Sequence, residues 1–346
     1  MKKIIINSIL ICSLLFSLNQ FAQGYEIKVN IKNSKDSMCL LTKYTWEQPY
    51  KVDTAKVDKN GSMVFKGKEP LEKGIYSVYS PKKGVLYFDL IINESQKLTI
   101  NTDTTNFYDN MKIIGPKENT DFIDYVKFMG SKNMERMNYE KEIKAKKTAD
   151  STKLITQKNT DLFKQIKKYQ TDYLNTNPTS YLATLIRLQN DPDVPNAPKN
   201  IPAADTAIWK YQYYKNHFWD GIDLNAISTL NTNKIFADRV KRFFEKIVIQ
   251  NPDSLAKESD LFLSKIGNNK ENFKWVTHNL TYMSESSKVM GMDAFFVYMV
   301  NKHYKTGKAY WLDEKQLEKV ISRANILEPL LLGKKAQDLQ LSLIHI

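Results

Sequence analysis

Cysteine is almost absent from this sequence: two residues, Cys12 and Cys39, in a chain of 346. Cys12 lies within an N-terminal stretch that reads as an export signal, so the mature chain is expected to keep one thiol. One thiol cannot close an internal disulfide or run a dithiol exchange. Cys39 sits in the apolar run Met38-Cys39-Leu40-Leu41 and reads as a small buried side chain. Histidine is nearly as scarce. The four residues at 217, 278, 303 and 345 have no Cys or His neighbour at metal-ligand spacing, which excludes the common zinc patterns. Gly-rich phosphate loops, Gly-x-Ser-x-Gly and His-Glu-x-x-His are absent as well, so the expectation is no catalytic residue, no cofactor and no metal.

Arginine is the third scarcity. It occurs at 136, 187, 239, 242 and 323 only, leaving 46 of the 51 basic residues as lysine. Those lysines are spread along the chain among acids. The net charge of +13 therefore reads as a solvated surface, not as a nucleic-acid stripe, and no nucleic-acid partner is expected. Long apolar runs are confined to the N-terminus. There Lys2 and Lys3 precede Ile4–Leu18, and Asn19, Gln20, Phe21, Ala22 and Gln23 follow, the layout of a secretory signal. The apolar run falls short of the roughly twenty residues that a membrane span needs. Ile11, before Cys12, is not the small residue that lipid attachment requires. Residues 1–22 are thus expected to be cleaved, sending the chain to the periplasm or cell envelope of a Gram-negative bacterium with no stable membrane span. At the other end, Leu341–Ile346 back-translate as CTG TCT CTT ATA CAC ATC, a transposon-adapter sequence. Residues 342–346 are therefore expected to be adapter-derived.

Between these ends the periodicity changes once. Tyr25–Ile31 alternates apolar and polar side chains with the period of a half-buried strand. Similar runs are predicted at Cys39–Tyr44, Val52–Val57, Ser62–Lys66, Ile75–Tyr79, Leu86–Ile92 and Lys97–Asn101. Asn60-Gly61 supplies a turn in which both residues tolerate positive φ. Pro70, Pro81 and Pro116 fall between the strands. From Gly115-Pro116 onward the spacing is helical. Thr120 is the expected cap of a helix through Met129, and Gly130 the break before a lysine-rich helix over Met134–Leu174. Further helices are predicted from Asn177-Pro178 to Leu188 and over Thr206–Trp219, Thr232–Ile249, Asp253–Ile266, Lys270–Ser286, Met292–Tyr304 and Glu314–Ile326. Asp191–Ile201 reads as a connector. The fold class is α+β: a small antiparallel β-sandwich or barrel-like domain over residues 25–115, then an all-α helical domain over 118–326.

One cluster could meet a ligand or a partner. His217 lies among Tyr211, Tyr213, Tyr214, Phe218 and Trp219, with Asp220 and Asp223 nearby. Tyr213, Tyr214, His217 and Trp219 are the candidate surface, set against the plainer reading of aromatics packed into a helical core. Asp58, Asn60 and Gly61 lack the full ligand series of a calcium loop and read as a turn. Asp191/Asp193 and the charged run Lys141–Lys147 read as solvated.

Val57-Asp58-Lys59-Asn60-Gly61, Phe65-Lys66-Gly67, Gly74-Ile75-Tyr76, Leu98-Thr99-Ile100 and Ile113-Ile114-Gly115 together resemble the DUF4369-like domain that precedes thioredoxin-like modules in exported envelope proteins. The helical part resembles the DUF5106-like domain that follows it. The residues that carry this second resemblance are His217-Phe218-Trp219-Asp220-Gly221-Ile222-Asp223-Leu224, Asn251-Pro252-Asp253-Ser254, Met290-Gly291-Met292-Asp293 and Tyr310-Trp311-Leu312. Leu332–Leu341 resembles the opening strand of the TlpA/redoxin thiol-disulfide oxidoreductases, with Gln337 where that family usually has Pro. Residues 327–341 would then begin a thioredoxin-like domain whose Cys-x-x-Cys lies further on. The resemblance implies a non-catalytic accessory region that docks, orients or dimerises a redox module, with protein clients or self-association as partners. A stand-alone periplasmic glycan- or peptide-binding module is the alternative.

Overall fold

The structure is a computed structural model that describes residues 24–45, 48–93, 95–145, 149–226 and 231–335. The signal segment 1–22, His345 and the 342–346 tail lie outside the described residues. The chain divides into two compact units, the first ending at Ala183 and the second beginning at Thr184. Strands dominate the start and helices the rest, an α+β arrangement.

In the first unit, eight strands form two sheets: β1 (Glu26–Lys32), β2 (Met38–Thr45), β3 (Gln48–Lys56), β4 (Ser62–Lys66), β5 (Gly74–Ser80), β6 (Val85–Ile92), β7 (Lys97–Asp103) and β8 (Lys112–Ile114). The first sheet runs β4-β1-β7-β8 and the second β3-β2-β5-β6. Each of the seven predicted strands is present, and β8 is additional. All pairings are antiparallel except β1 with β7, where Ile27 stands beside Leu98 and Val29 beside Ile100. The chain builds the whole second sheet before β7 returns, and so long a crossover permits a parallel pair.

Alternation places Ile27, Val29, Ile31, Met63, Phe65, Leu98 and Ile100 in the core, with Glu26 and Lys28 outside. On β5 and β6 the alternation disappears. Ile75, Tyr76, Ser77, Val78, Leu90, Ile91 and Ile92 are all buried, as in strands covered on both faces. Pro49 falls inside β3, a position the sequence reading did not assign to a strand. β3 is an edge strand, where a missing N–H costs little. At the turn 58–61 only Gly61 takes positive φ (81°), and Asp58 Oδ1 accepts from the backbone N–H groups of Asn60 and Ser62, both at 2.8 Å. A Cβ on residue 61 would lie 2.1 Å from the Ile31 carbonyl oxygen, so glycine is required there.

Helix α1 (Lys117–Ala145) starts directly after Pro116, earlier than the expected Thr120 cap. The side chain of Asn119 explains the early start. Its amide accepts from Ile91 N–H and donates to Ile91 C=O, both at 2.8 Å, so it stands in for a further strand along the buried outer edge of β6. Glu118 accepts from Asn93 Nδ2 at 2.8 Å and from the backbone N–H groups of Tyr181 and Leu182, which caps the next short helix. α1 also runs on through Gly130, where an added Cβ would meet open space. It packs against α2 (Ala149–Thr176) through Phe128 stacked on Tyr169 at 4.3 Å and Gln170 bonded to the Tyr125 hydroxyl at 3.0 Å.

The second unit contains the end of α3 (Tyr181–Gln189), then α4 (Thr206–His217), α5 (Ile235–Arg242), α6 (Pro252–Ile266), α7 (Lys270–Glu285), α8 (Asp293–Met299) and α9 (Glu314–Leu327). The polar starts are capped as their sequences suggest. Asn251 accepts from Ser254 N–H, Asn269 from Asn272 N–H, and Asp313 with Gln316 forms a capping box. α5 and α8 each widen into a single π turn, at Phe243–Ile247 and Val300–Tyr304. The sequence spacing did not announce these, because apolar residues sit on both sides of each turn.

Candidate functional site

The aromatic cluster read from the sequence separates into an outer ladder and an inner core. Trp209, Tyr213 and His217 follow one another at four-residue spacing along α4, which places them on one face. Their ring centroids are 5.3 Å and 4.0 Å apart. His217 Nδ1 meets Asp220 Oδ2 at 2.6 Å, and both side chains are well exposed, so the pair is a weak surface contact. Tyr214 turns to the adjacent face and its ring lies 5.7 Å from that of Phe218. Tyr211 donates to the Ile247 carbonyl at 2.9 Å and so ties α4 to the first π turn.

Phe218 and Trp219 are buried. Phe218 stacks on Phe243 at 5.3 Å, while Trp219 packs against Phe262 at 4.6 Å and edge-on to Phe243 at 5.5 Å. The Trp219 indole N–H is buried without an acceptor. Thus of the four candidate residues, Tyr213 and His217 belong to the outer ladder, Trp219 to the core, and Tyr214 lies between them. Gly221 follows at φ 70°, with the Arg187 side chain 3.1 Å from where a Cβ would stand.

Two hollows flank this turn. A cleft of about 240 Å³ has Trp219, Phe243 and Phe262 as an apolar wall, with Lys215, Glu258 and Lys265 among its polar residues. The Lys215–Glu258 contact of 2.5 Å joins α4 to α6 and is largely sheltered from solvent. The other hollow, about 300 Å³, is lined by Leu188, Gln189, Ile235, Asp238, Arg239 and Arg242.

Arg239 is 4 % exposed. It donates to the carbonyls of Leu188 at 2.9 Å, Asn190 at 2.7 Å and Phe218, and its guanidinium lies 4.0 Å above the Phe218 ring. Arg242 approaches the same ring at 5.0 Å and pairs with Asp191. Burial, reinforced by the neighbouring Arg242 charge, pushes the Arg239 guanidinium down to about 10, against the opposing pull of Asp191. Tyr214 is pushed up, first by burial and then by Asp191.

Residues 140–328 match the model of DUF5106, a domain of unknown function. The chain belongs to the DUF5106 family. Residues 25–122 match a second domain of unknown function, DUF4369. No curated protein and no solved structure matches the chain. The aromatic ladder, the Phe218–Gly221 turn and both hollows all fall within the DUF5106 segment.

The remaining sequence candidates do not join this site. His278 is on α7, and His303 is buried in the second π turn with neither ring nitrogen bonded. Burial, followed by the charges of Lys308 and Lys302, pushes His303 down to about 4. Cys39 is fully buried, and its thiol is pushed up to about 11 by burial and then by Asp36. Asp191 pairs with Arg242, so it is not merely solvated as expected from its connector. Among the described residues, no group of three or more His, Cys, Asp or Glu is placed to hold a metal ion, and no helix is long and apolar enough to cross a membrane. Sequence reasoning missed Arg239, Arg242 and Glu258. No sequence signal marked the first two, because Arg187, Arg239 and Arg242 come together at this turn only in the folded chain.

Proposed function

We propose that residues 25–328 are the non-catalytic accessory region of an exported thiol-disulfide oxidoreductase of the TlpA/redoxin type. In this reading the DUF4369 and DUF5106 domains dock, orient or dimerise a thioredoxin-like module and present it to protein clients in the cell envelope. The observation that carries the reading is the order of segments: DUF4369, then DUF5106, then Leu332–Leu341 with its likeness to a redoxin opening strand. The state of Cys39 agrees with it. A fully buried thiol pushed up to about 11 is not poised to attack a disulfide, so dithiol chemistry would have to come from another segment. The genomic DNA beyond codon 340 tests the proposal. A continuing frame that encodes Cys-x-x-Cys is expected, and a native stop codon there would overturn it.

One observation favours a second reading, a glycan- or peptide-binding module. The Trp209–Tyr213–His217 ladder offers partly exposed ring faces in register along α4. A thermal-shift screen over envelope polysaccharides and peptides would separate the readings. A specific ligand whose effect is lost in Tyr213→Ala would favour this one.

A further inference from the structure

The hollow beside Phe218 combines features that a purely structural arginine brace does not need. Lysine outnumbers arginine 46 to 5 in this chain, yet two guanidinium groups line one cavity of about 300 Å³ and share one aromatic face. Arg239 is almost wholly out of water. Its acceptors are three neutral carbonyls, and among the described residues no carboxylate pairs with it within 4 Å. Its Nε–H is buried with no acceptor at all. Asp191 acts on it only without direct contact, being paired with Arg242, and a buried charge so weakly compensated is unfavourable unless something supplies a closer counter-charge.

The groups that face the cavity are Arg239, Arg242, Gln189 and the exposed Asp238, with Asp191 drawing on Arg242 from the side. Asp191 is the only acid paired with either guanidinium among the described residues. Its side chain is 48 % exposed, so water can replace the Arg242 contact at low cost. The planar fork of a guanidinium matches carboxylate and phosphate oxygens, as a lysine ammonium does not. A wall of Leu188 and Ile235 would meet the apolar part of whatever carries the anion.

We propose that this cavity binds an oxyanion, a carboxylate or a phosphate group, with Arg242 as its principal fork and Arg239 as the fixed charge behind it. Asp191 competes for the same fork and sets the affinity.

The test is isothermal titration of the full chain with sodium phosphate and, separately, sodium acetate, each against sodium chloride at equal ionic strength. Saturable millimolar binding of at least one oxyanion beyond chloride is expected, and the stronger of the two identifies the source. Arg242→Gln, a surface change that leaves the Arg239 brace intact, is expected to weaken binding at least tenfold. Asp191→Asn is expected to tighten it several-fold, a gain that a role confined to bracing helices would not give. Binding no stronger than chloride, or oxyanion binding unchanged in Arg242→Gln, would overturn the proposal. Circular dichroism of each variant would confirm that the fold is retained.

Discussion

Replacing His303 by leucine should remove a defined part of the acid sensitivity of this protein. His303 lies in the π turn after α8, 3 % exposed, beside the edge of the Phe273 ring at 5.6 Å. Its two ring nitrogens have no bonding partner, and Lys302 and Lys308 add positive charge nearby, partly countered by Asp260. The folded protein therefore keeps the imidazole neutral down to about pH 4, while the unfolded chain protonates it near 6.5. Above pH 6.5 neither state is charged and the residue contributes no pH dependence. Between 6.5 and 4 only the unfolded state takes up the proton, so stability falls as pH falls. The loss per pH unit is at most about 1.4 kcal/mol, which reaches roughly 3 kcal/mol by pH 4. Urea unfolding of wild type and His303→Leu at pH 7, 6, 5 and 4 measures it. The variant should equal or exceed wild type at pH 7, because two unsatisfied polar atoms are gone, and its advantage should grow by about 3 kcal/mol at pH 4. Other titrating groups cancel in the difference. A difference that stays constant from pH 7 to pH 4 would refute the reasoning.

Three further outcomes follow from the packing. Arg239→Lys keeps the charge but cannot serve the carbonyls of Leu188, Asn190 and Phe218 together, so chemical denaturation should show a loss of about 2–3 kcal/mol. Asn119→Leu strips both bonds from the Ile91 backbone at the buried edge of β6 and should cost about 2–4 kcal/mol in the same assay. A loss below about 1 kcal/mol in either variant contradicts its account. Cys39 should not react with a thiol-specific reagent at pH 8 in the native protein and should react fully in urea, and rapid native labelling would contradict its burial.

The β half of the fold was written in the sequence because alternation is local. Tyr25–Ile31 and Ser62–Lys66 announce which side chains turn inward without reference to any partner. The parallel pairing of β1 with β7 was not written there, since register between strands so far apart depends on the whole intervening sheet. β8 was missed because three residues are too few to show a period. The helix breaks were misplaced for a related reason: Gly130 is exposed and meets nothing, so its intrinsic preference is easily overridden by the packing of α1 on α2. At the candidate site, the stretch from Tyr211 to Trp219 was recognisable by its aromatic density. Which rings face outward was not, because Tyr213 and Tyr214 differ only in the face of α4 they occupy. Arg239 lies more than twenty residues from the aromatic it covers and acts through backbone carbonyls, which leave no mark in the sequence.

The proposal that this region accompanies a redox module without performing the chemistry has one direct test. Insulin reduction in the presence of dithiothreitol should be followed for this chain and for the product of the complete gene at equal concentration. No acceleration by this chain is expected, together with clear turnover by the complete product. Turnover by this chain, or none by the complete product, would contradict the account.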